Sequence, residues 1–382
     1  MQDGILGMLP REMMEPHVRK YWDFIDKKPG APLFQKEFGY YCMEKWQREE
    51  GLAPDANLEA LFGFDQPAAK FIGGLGGGGA ALDPWFEEEV LEDRGEYELV
   101  RDSSGRSVLY FKGRRNGFMP EYVDHPVKDQ KSFEELILWR MNPQSSARQT
   151  AMDDYLPEAV AKAKRGYMIE QYLVGGYMYL RSLMGPEGLL YRFYDDPKLI
   201  HQCMEAWLRL ADDVMARHQK AVSIDLILFD EDVCYNHGPL ISPDMIREFL
   251  MPYYQQLMNN ARARRLDPAR PLNMHLATDG FADPVIPLYL DVGMSLLSPF
   301  EVASNSDVIR TGREYPKLLI EGGIDKRVLA STKDAIDRMV DRILPAMRAR
   351  GGYIPTCDHG VPEEVSLENY LYYRKRCLEF AN

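Results

Sequence analysis

Cysteine and long apolar runs are both scarce in this chain. Five cysteines are scattered through 382 residues without close pairing, a pattern typical of reduced thiols rather than of a disulfide framework. No stretch of the sequence is apolar for long enough to span a bilayer, and residues 1–7 lack the basic start and the apolar core of a signal peptide. These absences argue against a membrane protein, and we expect a soluble, cytoplasmic one.

Positive charge is in deficit as well. Lysine and arginine number 46 against 59 aspartates and glutamates, and the formal net charge is -13. An acidic surface repels phosphate backbones, which argues against nucleic acid as a partner. With 45% hydrophobic residues, the composition is that of an ordinary globular protein, and a small molecule is the ligand that we expect.

Regular alternation of strands and helices begins near residue 166. Short apolar runs alternate with long amphipathic stretches such as 196–219 and 332–350, which is typical of repeated βα units around a parallel sheet. The predicted strands are 167–174, 226–229, 272–277, 294–298, 318–320 and 352–356. With a strand at 32–38 and another near residue 85, the count reaches eight and predicts an α/β fold, a (β/α)₈ TIM barrel.

Residues 85–141 break this alternation. Apolar and polar side chains alternate over 85–91, 97–101 and 107–112, and Gly95 and residues 103–105 mark the turns between them. That pattern predicts an antiparallel β insertion, followed by a helix within 124–141. We therefore predict one domain over residues 1–382, with 85–141 as a β-rich insertion.

Acidic side chains follow most of the late strands. Because the carboxyl ends of the strands hold the active site in such a barrel, we predict that these side chains meet at one rim. Carboxylates gathered there repel one another unless a cation, a proton or a basic substrate joins them. They are Asp230, Glu231, Asp232, Asp279, Glu301 and Asp325. For residues 230–232 and Asp325 the alternative is a helix cap, and for Asp279 a turn.

Three reactive side chains follow the last predicted strand: Cys357, Asp358 and His359. Cys357 and His359 would share one face of a continued strand, with their α-carbons roughly 6.6 Å apart. The alternatives are a buried structural thiol for Cys357 and a turn anchor for His359. His275, inside the apolar run 272–277, is predicted to be a hydrogen-bonded core histidine.

Aromatic and polar side chains follow two of the strands. Tyr177 and Arg181 come after the glycine pair 175–176, and Tyr235 and His237 come after the acidic triplet. Together with Asp232, these side chains are predicted to hold a flat or anionic ligand at the strand ends. For Tyr177 the alternative is simple packing of a helix on the barrel.

Four segments resemble the uroporphyrinogen decarboxylase superfamily, which also contains the zinc- and corrinoid-dependent methyltransferases. They are Phe229-Asp230-Glu231-Asp232 with residues 238–243, Ser298-Pro299-Phe300-Glu301, Gly322-Gly323-Ile324-Asp325, and residues 352–362 with Glu368-Asn369. The resemblance runs from about residue 166 to residue 382 and implies the same barrel. Residues 85–141, with Pro126-Val127-Lys128, resemble a decarboxylase-like subgroup.

The resemblance does not choose between two reactions. Decarboxylases of the superfamily carry an arginine-rich loop after the first strand, whereas residues 37–42 contain no arginine; their Gly-His-Gly motif is partly kept at 358–360. The methyltransferases hold zinc through a His-x-Cys after the fifth strand and a cysteine after the eighth. Here the first cysteine is missing and Cys357 matches the second. Asp279 and Glu301 would supply oxygen ligands, which zinc accepts.

From this resemblance we expect a corrinoid-linked methyltransferase that takes a methyl group from an aryl methyl ether or a methylamine. A partner protein would carry the corrinoid, and zinc would be held by Asp279, Glu301 and Cys357. Acid–base work would fall to Asp230, Glu231, Asp325 and His359. The alternatives are a metal-free decarboxylase of a porphyrinogen-like or other carboxylated substrate, and a non-enzymatic binding module. The resemblance also allows a homodimer.

Overall fold

A parallel sheet forms the centre of the fold. The computed structural model describes residues 8–73, 75, 80–113 and 120–381. In chain order its strands are β1 (Ala69–Ile72), β2 (Glu89–Arg94), β3 (Tyr97–Arg101), β4 (Ser107–Phe111), β5 (Glu121–Asp124), β6 (Met168–Val174), β7 (Leu226–Asp230), β8 (Cys234–Tyr235), β9 (Gly238–Pro239), β10 (Asn273–Ala277), β11 (Met294–Ser298), β12 (Leu319–Glu321) and β13 (Tyr353–Ile354).

Helices alternate with the later strands along the chain. They are α1 (Pro16–Ile25), α2 (Met43–Glu49), α3 (Leu58–Phe62), α4 (Gln130–Ser132), α5 (Ser146–Lys164), α6 (Gly176–Met184), α7 (Pro186–Asp195), α8 (Pro197–His218), α9 (Pro243–Phe249), α10 (Met251–Ala263), α11 (Ile286–Val292), α12 (Val308–Glu314), α13 (Lys326–Leu329), α14 (Lys333–Arg350) and α15 (Leu367–Leu378). Short 3₁₀ or π turns cover Arg11–Met13, Phe133–Ile137, Leu138–Met141, Asp283–Val285 and Val302–Ser304.

The parallel strands lie side by side in the order β1, β6, β7, β10, β11, β12, β13, and each neighbouring pair is parallel. All the strands predicted after residue 166 are present, with bounds that differ by at most two residues. The prediction of an α/β fold, a (β/α)₈ TIM barrel, is confirmed.

The first two strands of the barrel differ from the prediction. Residues 31–40 form no regular ladder in the described structure: Tyr40 makes an isolated parallel bridge with Val361, and the Glu37 carboxylate accepts the backbone amide of Cys357 at 2.8 Å. The prediction of a barrel strand near residue 85 is wrong, because β1 occupies the position beside β6. The parallel ladder therefore stops at β1, and strand pairing does not close the wall between β1 and residues 31–40.

A separate antiparallel sheet confirms the predicted insertion. Its order is β2-β3-β4-β5, and β2 and β5 are exposed along their whole length. The predicted helix within 124–141 is shorter than expected. It comprises α4 and the two turns that follow, over residues 130–141, and begins at a capping box in which Asp129 accepts the amide of Ser132 at 2.8 Å.

Helix α1 fills the end of the barrel at which the strands begin. Its buried side chains share one apolar cluster with residues at the starts of the strands, among them Met168, Leu226 and Leu319. Trp22 is wholly buried, and its indole Nε1 donates to the carbonyl of Gly166 at 2.7 Å. With that end filled, the strand ends opposite α1 are the place for an active site.

The scarcity of cysteine and of apolar runs is reflected in the structure. All five cysteines are unpaired and buried, as expected for a chain without a disulfide framework. Over the ranges that the structure describes, no helix combines the length and the apolar character needed to cross a membrane.

Candidate active site at the mouth of the barrel

The carboxyl ends of the central strands finish at one level. Asp230, the last residue of β7, pairs with Val174 of β6 and with Ala277 of β10, and Ala277 pairs with Ser298 of β11. The residues that follow these positions therefore share one rim of the barrel. We call this rim the mouth; it comprises residues 230–232, 278–281, 299–301, 325–326 and 357–359.

Backbone amides tie three of the predicted acids together. The amide of Asp279 donates to Asp232 Oδ1 at 3.2 Å, and the amide of Gly280 donates to Glu301 Oε2 at 2.9 Å. Asp232 has a φ of 32°, a left-handed conformation that is uncommon outside glycine and that clusters at functional sites. The structure thus brings Asp232, Asp279 and Glu301 to one place.

His359 faces this group of acids. Its Nε2 lies 3.5 Å from Asp279 Oδ2, and its Nδ1 accepts the backbone amide of Gly360 at 2.8 Å. The interaction with Asp279 raises the pKa of His359, although burial acts in the opposite direction. The ring of Phe38 lies 5.1 Å from the imidazole, and the ring of Tyr41 stacks on it at 5.8 Å. His359 is therefore a half-buried acid–base group with aromatic walls.

The cations at the mouth already have carboxylate partners. Arg181 lies 3.4 Å from Asp232, and Lys326 Nζ lies 3.7 Å from Glu301. The buried carboxylate of Asp358 accepts two backbone amides at 3.0 and 3.1 Å, and the charge of Lys326 opposes the rise that burial causes in its pKa. These pairs leave no arginine or lysine at the described mouth without a carboxylate neighbour.

Carboxylates outnumber cations at the mouth. Asp230 accepts the hydroxyl of Tyr172 at 2.8 Å and forms no ion pair with any residue that the structure describes. Apart from the buried Glu231 and from Asp325, which is paired with Arg327, the carboxylates of the mouth are Asp230, Asp232, Asp279, Glu301 and Asp358. The cations beside them are Arg181, Lys326 and, when protonated, His359. Such a surplus disfavours an anionic ligand and favours a neutral or cationic one.

Tyr235 and His237 lie on the short hairpin of β8 and β9. Tyr235 is 46% exposed, and its ring meets that of His237 edge-on at 5.7 Å. The hairpin is fixed beside Asp279, because the Tyr235 carbonyl accepts the amide of Phe281 at 2.8 Å. Both side chains can be reached from solvent, as their predicted role in substrate binding requires.

Two predicted residues lie behind the barrel wall instead. Glu231 is wholly buried and accepts the hydroxyl of Tyr254, the hydroxyl of Tyr289 at 2.9 Å and the amide of Tyr177 at 3.2 Å. Burial raises the pKa of Glu231 to about 8. Tyr177 is also buried, at 1% exposure, and matches the helix-packing alternative. Neither side chain can touch a substrate in this structure, so the roles expected for Glu231 and Tyr177 do not fit.

Comparison with known proteins places the chain in a family. The uroporphyrinogen decarboxylase (URO-D) family profile matches residues 168–379, which is more than half of the chain. The chain belongs to the uroporphyrinogen decarboxylase family. None of the curated proteins compared with it matches.

Comparison with solved structures concerns the fold alone. The protein is similar to a methyltransferase from Methanosarcina mazei, with a TM-score of 0.60 and 13% identity over 96% of this chain and 99% of that one. It is less similar to xylanase B from Clostridium stercorarium F9, with a TM-score of 0.33 and 10% identity over 58% and 75% of the two chains. The first likeness shows a shared fold over nearly the whole length.

In this member of the uroporphyrinogen decarboxylase family, Asp325 serves as a helix cap. It is the N-cap of α13, accepts the amide of Arg327 at 2.9 Å and pairs with its guanidinium at 2.9 Å. Burial tends to raise the pKa of Asp325, but the hydrogen bonds from Arg327 lower it overall. The catalytic role expected for Asp325 does not fit, and the capping alternative does.

The predicted zinc ligands do not form one centre. Cys357 is wholly buried, burial raises the pKa of its thiol, and its Sγ lies 3.9 Å from the neighbouring Asp358. Asp279 faces His359, and Glu301 faces Lys326. Within the described ranges, no group of three or more His, Cys, Asp or Glu side chains could hold a metal ion. These residues do not fit zinc, and Cys357 matches the alternative of a buried structural thiol.

Sequence reasoning missed a polar layer that lies below the mouth. Lys36 Nζ lies 2.8 Å from Glu321 Oε2, and the hydroxyl of Tyr21 donates to Glu170 Oε1 at 2.8 Å. His275 donates to or accepts from a serine hydroxyl at 2.7 Å, which confirms it as a hydrogen-bonded core histidine. The missed signal was a charged residue inside an apolar strand, as Glu170 is in 167–174 and Lys36 in 32–38.

Proposed function

We propose that the protein is a methyltransferase acting on a small methylated substrate of the aryl methyl ether or methylamine type, with a corrinoid carried by a partner protein as the methyl acceptor. The observation that carries this proposal is the surplus of carboxylates around His359 at the mouth. An aryl methyl ether without an acid group is neutral and a methylated ammonium group is cationic, so both suit that surplus. The shared fold with a protein described as a methyltransferase supports the same reaction class.

The same surplus counts against a decarboxylase. A porphyrinogen or another carboxylated substrate needs cations that are free to hold its carboxylates. Arg181 and Lys326 are each paired with an acid, and residues 37–42 contain no arginine. An added carboxylate would therefore meet net repulsion at the mouth.

His359 supplies the proton that the reaction needs. A reduced corrinoid on the partner protein would supply the nucleophile that takes the methyl group. The bond between the methyl carbon and the oxygen or nitrogen would break, and the departing atom would keep the bonding electrons. In its doubly protonated form, held by Asp279, His359 gives the Nε2 proton to that departing atom. Loss of the Nε2 proton leaves the neutral ring with its remaining proton on Nδ1. Reprotonation at Nε2 and release of the Nδ1 proton to solvent then restore the tautomer in which Nδ1 accepts the amide of Gly360.

The walls of the mouth position the substrate. Phe38 and Tyr41 flank the imidazole, and Tyr235 and His237 lie on the hairpin that is fixed beside residues 280–281. A flat aryl ring or a methylated ammonium group packs favourably against such aromatic faces. Zinc at Asp279, Glu301 and Cys357 enters no step of the proposal, because the Cys357 side chain is wholly buried and the three residues form no metal-binding group in the described ranges.

The test is methyl transfer to free cob(I)alamin, followed by the absorbance change that accompanies its methylation. A methoxyphenol and trimethylamine serve as donors. We expect His359→Gln to lower the rate about 10²- to 10³-fold. The matched control is His17→Gln, on α1 at the opposite end of the barrel, which should retain the rate. Absence of transfer from every donor by folded wild-type protein would overturn the proposal, and carbon dioxide release from a carboxylated substrate would establish the decarboxylase instead.

A further inference from the structure

A slot opens through the wall of the barrel where strand pairing is missing. It lies between residues 34–40 on one side and residues 67–71 of β1 and its approach on the other, and encloses a cavity of about 330 Å³. That volume is within the range of small-molecule sites. None of the charged residues of the mouth lines it, so the slot is a second site, separate from the one assigned to methyl transfer.

The floor of the slot carries a buried carboxylate. Glu170 is only 3% exposed, yet lines the cavity. In the described residues its side chain has one hydrogen-bond partner, the hydroxyl of Tyr21 at 2.8 Å, and no ion pair within 4 Å. Burial raises the pKa of Glu170 to about 7. A buried carboxylate without its own cation is expected to gain from a cationic ligand.

The other charges of the slot leave it net negative. Lys36 also lines the cavity, but its ammonium is held by Glu321 at 2.8 Å. Glu37 is satisfied by three donors, the hydroxyl of Tyr370 and the amides of Phe38 and Cys357. The residues that line the cavity include four carboxylates and one lysine, namely Glu37, Glu59, Asp65, Glu170 and Lys36. Asp65 is paired with Lys20 at 2.8 Å, and the remaining balance favours a cation over an anion.

The walls of the slot are aromatic. Phe34, Phe64, Tyr40 and Phe71 all line it, and Phe71 is 56% exposed although it belongs to a strand of the barrel. Aromatic faces combined with a carboxylate are the usual recognition surface for a methylated ammonium group.

We propose that this slot binds a small organic cation, a quaternary or otherwise methylated ammonium group, against the carboxylate of Glu170 and between the rings of Phe34, Tyr40 and Phe71. The site does not depend on the reaction proposed for the mouth. The slot and the mouth can be occupied at the same time. Residues 34–41 contribute side chains to both, but no charged group of the mouth lines the slot.

The test is calorimetric titration of the full chain with two probes of equal shape. One is choline; the other is dimethylbutanol, in which a carbon replaces the ammonium nitrogen. We expect choline to bind about tenfold more tightly than its neutral counterpart, the difference that a desolvated cation–π contact and an ion pair supply. Equal binding of the two probes, or no choline binding up to about 10 mM, would refute the site.

Four variants locate the binding. Glu170→Gln should lower choline affinity about tenfold and leave dimethylbutanol unaffected, and Phe71→Ala, at an exposed side chain, should weaken choline several-fold without affecting folding. Glu158→Gln is the matched control, since Glu158 pairs with Lys70 on the outer side of β1 and should change nothing. Asp279→Asn tests the mouth: if it removes choline binding while Glu170→Gln does not, the ligand sits at the mouth and the slot proposal fails.

Lys36→Met separates a cation site from an anion site. Removal of its ammonium should tighten choline binding, because one repulsive charge is lost. If the variant instead abolishes binding of every probe, Lys36 is the ligand-binding group and the proposed class of ligand is wrong. A melting curve for each variant shows that it is folded, and methyl-transfer activity with His359→Gln remains an independent measurement on the mouth.

Discussion

Adjacent residues at the mouth perform different tasks because successive side chains leave the chain in different directions. Asp230 and Asp232 face the mouth, whereas Glu231 between them enters a tyrosine network behind the wall. The acidic triplet could be recognised in the sequence. The direction of each side chain could not, because it depends on how residue 232 turns at a φ of 32°.

The His359–Asp279 pair predicts a shift in the pH profile of methyl transfer. Asp279 raises the pKa of His359, so the protonated ring persists to higher pH than it would alone. We expect Asp279→Asn to move the alkaline limb of kcat/KM to lower pH, with a loss of activity that is greatest at high pH. The measurement is the pH–rate profile with cob(I)alamin. An alkaline limb that stays at the same pH in the variant would show that Asp279 does not raise the pKa of the proton donor.

Glu231 predicts a loss of stability as the pH rises. Its folded-state pKa is about 8, against about 4.3 in an unfolded chain. The folded protein therefore holds a proton that the unfolded chain has lost, and its contribution to stability is full below about pH 4 and disappears as pH rises through about 8. Between those limits we expect a loss on the order of 5 kcal/mol, because each unit of pKa shift corresponds to about 1.4 kcal/mol.

Urea denaturation of wild type and Glu231→Gln across this pH range measures that loss. The amide does not titrate, so the variant should be less stable than wild type at pH 5 and should approach it by pH 9. Glu158→Gln, at an exposed ion pair, should show the same change of unfolding free energy with pH as wild type. A difference in the free energy of unfolding between wild type and Glu231→Gln that stays constant with pH would show that Glu231 is ionised in the folded protein.

Among the elements, the hairpin of β8 and β9 depends on a glycine. Gly280 has a φ of 79°, and a Cβ there would lie 2.5 Å from the Tyr235 backbone. We expect Gly280→Ala to cost about 1–3 kcal/mol of stability and to raise the KM of methyl transfer, because the hairpin must move off Asp279. Gly39→Ala is the control, since no atom lies within 4 Å of its Cβ position; equal urea midpoints for the two variants would contradict the close fit.

Elements with long periodic patterns could be predicted from the sequence, and short irregular ones could not. The βα units after residue 166 have apolar runs flanked by long amphipathic helices, and their strands lie where the pattern predicts. β1 has only four residues, one of them Lys70 and one the exposed Phe71. No alternation identifies such a strand, and the insertion that follows offered better-formed strands near residue 85.

At the scale of the whole molecule, the barrel holds two sites because its wall is incomplete. The rim of acids could be predicted from the order of strands, since their carboxyl ends share one face. The slot could not, because it arises from the absence of pairing between β1 and residues 31–40. Only a structure shows that Glu170 and Lys36, which lie more than a hundred residues apart, face the same cavity.

The placement of α1 also determines when the protein can finish folding. Trp22 and its neighbours on α1 share an apolar cluster with residues from several strands of the barrel, as far along the chain as Ile354 of β13. Because α1 precedes all of these strands along the chain, its apolar face stays partly exposed during synthesis until β13 has been made. Contacts so distant in sequence slow folding, and large intermediates with exposed apolar surfaces are prone to aggregate.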